Sequence, residues 1–387
     1  MSTFPSKLLL AAAVAAATPT AYAAESIAEA FQNGSTSVSF RLRFEEHDTG
    51  SSDADALTLK SRLTYKTDEL NGFSALFEVD DVTALGDVDY KTAPFDTTPG
   101  PIIADGEYTA VNQAIIAYKA GDTTAKFGRQ RILLDNQRFV GGVGFRQNEQ
   151  TYDALTLTNK SLPDTTLFYG YIAEVNSIFD TEAKHDTHLL NAKYTGLPFG
   201  AVTGYYYQIE PDAAADSIDT FGIRFTGSQP AGDAKLLYTA EYATQDQNNG
   251  SKPDYYVLEG GVSVSGVTAK LGYEVLEADG GVGFNTPLAT KHKFQGWTDK
   301  FLGTPGTGIE DLYLTVGTKV AGVKLLAVYH DYEAETTSTD LGSEFGFVVA
   351  KKFGKNYGLS LKYSDYEEGD SGKGDADKLW LTATAKF

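Results

Sequence analysis

Arginine is scarce in this chain and unevenly placed. Seven of the eight arginines precede residue 147, although the formal net charge of the 387-residue sequence is −20. The stretch FGRQRILLDNQRFVGGVGFRQNEQTYDA, residues 127–154, contains four of them: Arg129, Arg131, Arg138 and Arg146. A guanidinium group is weakly hydrated and pairs with carboxylate or phosphate through two parallel hydrogen bonds. The segregation therefore predicts a path for anions.

Basic residues also recur in two earlier segments in which apolar and polar side chains alternate. Arg41 and Arg43 share one parity in the first segment, and Lys60 and Arg62 share one in the second. On neighbouring strands these side chains would form one basic ladder on the polar face. The acidic residues predicted to share that face are Glu45, Glu78 and Asp80. Two interpretations stay open: the ladder attracts an anionic solute, or the charges neutralise one another in a wet interior.

The alternation that places these residues runs along most of the chain, and a period of two with one apolar face indicates β-strands. Short turns alternate with long polar loops, which is typical of membrane β-barrels. Eighteen strands are predicted, with sixteen as the alternative. They begin near residues 36, 54, 72, 109, 123, 150, 165, 187, 200, 218, 233, 255, 267, 310, 322, 343, 356 and 377.

The predicted fold is all-β, a closed transmembrane antiparallel barrel formed by one domain, residues 24–387. Lipid offers no hydrogen bonds to the edge of a sheet, so a sheet that spans a membrane must close. No stretch of this domain has the roughly 20 consecutive apolar residues that a spanning helix needs. We interpret Tyr205, Tyr206 and Tyr207 as part of an aromatic girdle at the membrane interface.

Residues 1–23 resemble a secretory signal peptide, with Lys7 before an apolar run and small residues around the expected cleavage site. The chain has no cysteine, so no disulfide framework supports the fold. Its pI of about 4.6 argues against a nucleic-acid partner, which would require a basic face.

The middle of the arginine-rich stretch is too long for a strand and carries apolar residues such as Ile132, Phe139 and Val140. A loop with so much apolar surface is expected to pack inside the barrel and narrow it, so that its arginines line the constriction. Strict alternation from Phe127 would turn both Arg129 and Arg131 outward. Either Gly128 marks a bulge that resets the parity or the strand has already left the membrane there.

The segment FRLRFE, residues 40–45, and the stretch at 127–154 resemble the alginate export family of outer-membrane porins from Gram-negative bacteria. The resemblance extends from about residue 30 to the C-terminus. It implies an eighteen-stranded barrel whose electropositive lumen passes anionic uronate polymers or oligomers. By this resemblance the lumen contacts are Arg41, Arg43, Arg129, Arg131, Arg138 and Arg146, with Asp153 as a partner.

Together these observations predict a passive, anion-selective porin and not an enzyme. The alternatives are a general or cation-selective pore and a structural or adhesive barrel with a plugged lumen. The predicted pore or substrate contacts are Arg41, Arg43, Lys60, Arg62, Arg129, Arg131, Arg138, Arg146, Glu78, Asp80 and Asp153.

The expected surroundings are outer-membrane lipid and lipopolysaccharide, with both termini on the periplasmic side. We expect no cofactor and no protein-bound metal site, apart from the alternative that calcium bridges acidic loops to lipopolysaccharide. Phe387 ends an alternating segment and resembles the C-terminal signal that the outer-membrane assembly machinery recognises. The expected solute is an anionic oligosaccharide, and the resemblance favours a monomer.

Overall fold

The fold is taken from a computed structural model that describes residues 24–86, 90–212 and 217–387. The proposed signal peptide, residues 1–23, lies outside the described residues. Within them, no helix is both long and apolar enough to cross a membrane.

Eighteen antiparallel strands form one closed sheet, because the last strand pairs with the first. A short helix, α1 (Ile27–Gln32), precedes them. The strands are β1 (Ser35–Asp48), β2 (Asp53–Lys66), β3 (Phe73–Ala84), β4 (Tyr108–Ala120), β5 (Thr123–Gln130), β6 (Thr151–Asn159), β7 (Thr165–Asn176), β8 (Glu182–Leu197), β9 (Gly200–Ile209), β10 (Ile218–Ala231), β11 (Ala234–Gln247), β12 (Asp254–Val264), β13 (Val267–Leu276), β16 (Ile309–Val320), β17 (Val323–Glu333), β18 (Asp340–Phe353), β19 (Tyr357–Glu367) and β20 (Ala376–Lys386); a small separate hairpin, β14 (Ala278–Asp279) and β15 (Val282–Gly283), follows β13.

The predicted fold class is confirmed, and so is the count of eighteen barrel strands. Most strands begin within two residues of the predicted starts, but β8 begins five residues earlier and β18 three residues earlier. Residues 110–119 of β4 break the alternation, because they have apolar side chains on both parities. The register between β3 and β4 shifts between Glu78 and Val79, so β4 has a bulge there. The bulge places both Asn112 and Gln113 on the inner face, and the parity of the outward residues changes at that point.

The two faces of the barrel follow the alternation. Outward side chains are apolar and exposed, as Phe127 (67%) and Leu258 (61%) are. Inward side chains are polar or lie in an interior core. The interpretation of the tyrosine run as a girdle is wrong for Tyr205 and Tyr207, because both point inward and are only 3% and 1% exposed. They pack on a loop inside the barrel.

The connections define two ends of the barrel. At the turn end, eight short turns join β2 to β3, β4 to β5 and so on to β18 and β19, and α1 packs there through Phe31, which stacks on Tyr65. At the loop end, nine further loops, which include the three longest connections, complete the circuit. Three of these loops, residues 85–107, 131–150 and 277–308, position the candidate site, because their described residues contact inward side chains of the strands.

Candidate pore-lining site

The 131–150 loop lies inside the barrel and is held by an arginine of β1. Arg41 donates from Nε to Gln147 Oε1 at 2.8 Å and from Nη1 to the Gly144 carbonyl at 3.0 Å. Its Nη2 donates to the Arg146 carbonyl at 2.5 Å. All three donors point at the loop, so Arg41 supports the loop. The prediction that this loop packs inward is confirmed.

Apolar residues of the same loop form a core with the opposite wall. Val140 is fully buried, and the Phe139 ring packs 5.2 Å from Tyr205 and 5.4 Å from Tyr255, centroid to centroid. The Phe284 ring of the 277–308 loop lies 6.0 Å from Phe139. The two inward loops therefore pack against each other and against β9 and β12, which removes apolar surface from water.

A cluster of six charged residues joins the loop to β2 and β3. We call it the Glu149 cluster: Lys60, Arg62, Glu78, Asp80, Arg131 and Glu149. Arg62 donates to both oxygens of Asp80 at 2.6 Å and to Glu149 at 2.7 Å. Lys60 lies 2.8 Å from Asp80, and Arg131 pairs with Glu78 and Glu149.

Glu149 is the centre of this cluster. Burial alone would raise the pKa of its carboxyl, but Lys60, Arg62 and Arg131 outweigh burial and hold that pKa below its ordinary value. The carboxylate is therefore charged at neutral pH. Within the cluster, Arg62 and Arg131 keep 18% and 22% of their side chains exposed, while Lys60 and the three carboxylates keep 8% or less.

A second cluster joins both large loops to β1 and β20. We call it the Asp299 cluster: Glu45, Arg146, His292, Asp299 and Lys378. Arg146 donates to both oxygens of Glu45 at 2.8 Å and to Asp299 at 3.1 Å. Lys378 donates to Asp299 at 2.7 Å. Arg146 is 4% exposed, so protein groups, and not solvent, satisfy its charge.

His292 extends the Asp299 cluster to β19. Its Nδ1 lies 2.7 Å from Asp299, and Lys362 Nζ lies 2.7 Å from its Nε2. A charged ammonium group only donates, so a ring that accepts from it at Nε2 is neutral and carries its proton on Nδ1. Burial lowers the pKa of His292 to about 3, which agrees with that assignment. Lys362 also lies over the rings of Trp297 at 4.0 Å and Phe145 at 4.3 Å.

The remaining predicted arginines are also paired. Arg43 donates to the Phe145 carbonyl at 2.8 Å and lies 3.5 Å from Asp105 of the 85–107 loop. Arg138, only 2% exposed, forms an ion pair with Glu274 at 3.0 Å. The predicted residues therefore come together mainly as links between loops and strands.

Arg129 and Asp153 form a separate pair. They are direct neighbours on β5 and β6, and Arg129 donates to both carboxylate oxygens at 2.8 and 3.0 Å. The register through Gly128 is continuous, so Arg129 keeps the outward parity of Phe127. Arg131 lies beyond the end of β5, inside the barrel. Of the two explanations left open by the sequence, the end of the strand accounts for Arg131.

Several residues of the site were missed because they lie in loops or far away in sequence: Asp105, Glu149, His292, Trp297, Asp299, Lys362 and Lys378. The sequence signals were the stretch at 127–154, which contains Glu149, and the length of the 278–309 loop with its apolar residues. Among the described residues, no three His, Asp or Glu side chains are grouped so that they could hold a metal ion.

Comparisons with known proteins agree with this architecture. The family described as "Alginate export" matches residues 35–278. OccK8 (OprE) of Pseudomonas aeruginosa superposes with a TM-score of 0.73 at 14% identity, covering 92% of this chain and 98% of that one. OccAB2 of Acinetobacter baumannii gives 0.73 at 14% identity, with 93% and 99% covered. OpdK of P. aeruginosa, solved with vanillate, gives 0.73 at 13%, with 92% and 99% covered. No curated protein sequence matches the chain.

Proposed function

This chain belongs to the alginate export family, and from that membership we propose a passive outer-membrane channel for anionic solutes, uronate oligo- or polysaccharides above all. One observation carries the proposal. Arg62 and Arg131 remain partly exposed where the 131–150 loop meets β2, so two guanidinium groups border the interior next to a loop that is locked in place. The family and fold are those of porins, and the solute class is the part proposed here.

The mechanism is electrostatic. A carboxylate that loses part of its hydration shell is stabilised by nearby guanidinium groups, and Glu78 and Glu149 weaken the binding enough for release. The Glu149 and Asp299 clusters keep the two large loops in the lumen and set the size limit. Flux then follows the solute gradient.

The surroundings complete the proposal. We infer that the turn end and both termini face the periplasm, as the short turns of bacterial barrels do. The loop end then faces lipopolysaccharide, and calcium bridged by acidic loops is the candidate ligand there. Phe387 is the proposed signal for the assembly machinery, and the proposed functional unit is a monomer.

A plugged barrel is the second candidate, and a specific observation favours it. The core of Phe139, Val140 and Phe284 fills interior space between β9 and β12 with apolar side chains. A lumen closed by that core would carry no steady current. An open, cation-selective general pore is the third candidate.

Ion selectivity in planar bilayers separates the three candidates. The purified chain is inserted at low protein density, and the reversal potential of single channels is measured across a KCl gradient. We expect a potential of anion-selective sign that moves toward zero in a double variant, Arg62→Gln with Arg131→Gln. A variant with Lys252→Gln and Lys373→Gln removes the same charge from exposed loop residues and should behave as the unsubstituted protein.

Solute passage is tested with proteoliposomes that swell as a sugar enters. Trigalacturonate is compared with maltotriose, a neutral trisaccharide of similar size. Faster swelling with the uronate supports the proposal. No current and no swelling would establish the plugged barrel, and a cation-selective sign with faster entry of the neutral sugar would establish the general pore.

A further inference from the structure

Lysines accumulate at the turn end of the barrel interior. Ten of the barrel strands carry an inward-facing lysine within four residues of the end of the strand that lies at the turn end of the barrel. We call them the lysine ring: Lys66, Lys119, Lys126, Lys193, Lys235, Lys270, Lys319, Lys324, Lys352 and Lys386. They lie on ten of the eighteen strands, between residues 66 and 386, so they form no cluster in the sequence.

Strand register places these lysines on the inner face. Lys66 has the parity of Lys60 and Arg62 on β2, which contact the inward Glu149. Lys193 lies directly opposite Thr203 of β9, which in turn lies opposite Arg224 of β10, whose partner is the buried Glu241. Directly paired residues of an antiparallel sheet share a face, so all of these side chains point inward.

The lysine ring has almost no acidic partners. At the described inward positions within four residues of the turn end, no strand carries Asp or Glu. Lys270 pairs with Glu259 at 2.9 Å, whereas the described residues offer no ion pair to the other nine. Those nine are exposed, in contrast to the arginines that contact the inward loops, which have carboxylate or carbonyl partners.

This arrangement does not serve the fold. Lys319 and Lys324 lie directly opposite each other on β16 and β17, and like charges in that geometry are destabilising. Neighbouring strands are about 4.8 Å apart. With a Debye length of about 8 Å at 0.15 M salt, ammonium groups on adjacent strands act together on one solute. The ring is therefore a concentrated, accessible positive field at one mouth of the barrel.

We propose that the lysine ring is a binding vestibule for linear polyanions that carry several carboxylate groups. It adds to the anion preference that Arg62 and Arg131 provide, while the other arginines that contact the inward loops mainly hold those loops. Several exposed ammonium groups suit a flexible chain of carboxylates better than a single small anion, because each contact is weak and many act at once. The inference deepens the function proposed above and rests on it.

The test is one-sided block of single-channel current by oligoglutamate, a linear polycarboxylate. The lysine ring is weakened by four substitutions on neighbouring strands: Lys319→Gln, Lys324→Gln, Lys352→Gln and Lys386→Gln. The matched control removes four lysines outside the ring: Lys184, Lys252, Lys351 and Lys373, each replaced by Gln. Replacement of the same four ring lysines by Arg keeps the charge, and unchanged heat-modifiable gel migration shows that each variant is folded.

We expect oligoglutamate to block from one side only, and the ring variant to bind it about tenfold more weakly, since each exposed charge contact contributes a small factor. The control and the arginine variant should bind as the original does. Raising the salt from 0.15 M to 1 M shortens the Debye length to about 3 Å and should abolish the block in all of them. The variant Lys355→Cys places a single cysteine in the turn between β18 and β19, because the chain has no cysteine of its own. Its reaction with an impermeant thiol reagent added to one side shows on which side of the bilayer the turn end lies.

The outcomes separate this inference from the proposed function. Anion selectivity that survives the ring substitutions, with block unchanged, would overturn the inference and leave the arginine-based channel standing. A cation-selective channel that oligoglutamate still blocks from the turn end through the lysines would keep the vestibule and overturn the proposed function. Block from the loop end, or equal loss in the matched control, would also overturn the vestibule.

Discussion

Two regions of the barrel interior use basic residues in opposite ways. Where the inward loops contact the wall, arginines such as Arg62 and Arg146 are buried or half-buried and pair with carboxylates. At the turn end, lysines are exposed and, except for Lys270, have no acidic partner in the described part of the chain. Guanidinium groups hold several acceptors in fixed geometry, whereas an ammonium group on a flexible stem stays hydrated. A basic residue in a pore therefore indicates binding of an anionic solute only when acidic partners in the protein itself leave it at least partly exposed.

The largest effect is expected from Glu149→Gln. It removes the carboxylate shared by Lys60, Arg62 and Arg131, and breaking a buried pair by deleting one partner costs roughly 3–5 kcal/mol. The 131–150 loop should leave the lumen more often, seen as larger and noisier single-channel conductance and faster proteolysis of the loop. Glu182→Gln, which removes an exposed partner of Arg129, serves as the control. A quiet channel of unchanged conductance would show that the cluster does not hold the loop.

Phe139→Ala tests the apolar half of the same loop. The ring packs against Tyr205, Tyr255 and Phe284, and its loss should weaken loop docking by about 3 kcal/mol through lost burial and a cavity. Hydrogen exchange of the loop amides measures the change. Leu133→Ala, at a half-exposed position of the same loop, should leave exchange nearly unchanged. Equal protection in both variants would contradict the packing role of Phe139.

Acid should weaken docking of the 277–308 loop through His292. The docked ring has a pKa of about 3, below the 6.5 of a free histidine, so protons bind preferentially to the undocked loop. Docking is fully stable above pH 6.5 and loses about 1.4 kcal/mol for each pH unit as pH falls toward 3. Asp299, whose pKa is also held low in the docked loop by His292, Lys378 and Arg146 despite burial, adds to the loss below pH 4.

Conductance noise between pH 7 and 4 reports this loss of docking. His292→Asn retains a neutral side chain with a donor and an acceptor, and should flatten the change above pH 4. Noise that rises equally in the original and in this variant would assign the acid response to other groups.

The smallest effect is expected at Lys319. Lys319→Gln relieves repulsion from Lys324 and should raise the free energy of unfolding by about 0.5 kcal/mol, measured as the denaturant midpoint in detergent. Lys324→Gln should give a similar gain, and the double variant no more than either alone. A loss of stability on either substitution would show that the lysine ring supports the fold after all.

The sequence predicted the wall of the barrel well and its interior poorly. Alternation of apolar and polar residues located all eighteen strands, because lipid outside and polar groups inside impose a period of two on each strand. The inward packing of the 131–150 loop was also predictable from its apolar residues. The partners Asp105 and Asp299 were not, because they reach Arg43 and Arg146 from loops distant in sequence.

Local periodicity was enough to specify the fold class, the strand positions and the inward parity of the basic ladder from the sequence alone. Tertiary structure decided which charges are neutralised. Arg138 and Arg146 looked like pore contacts, yet folding of two loops into one lumen pairs them with Glu274 and Glu45. The lysine ring likewise exists only when the sheet closes, because closure brings together inward positions that lie as much as 320 residues apart, from Lys66 to Lys386.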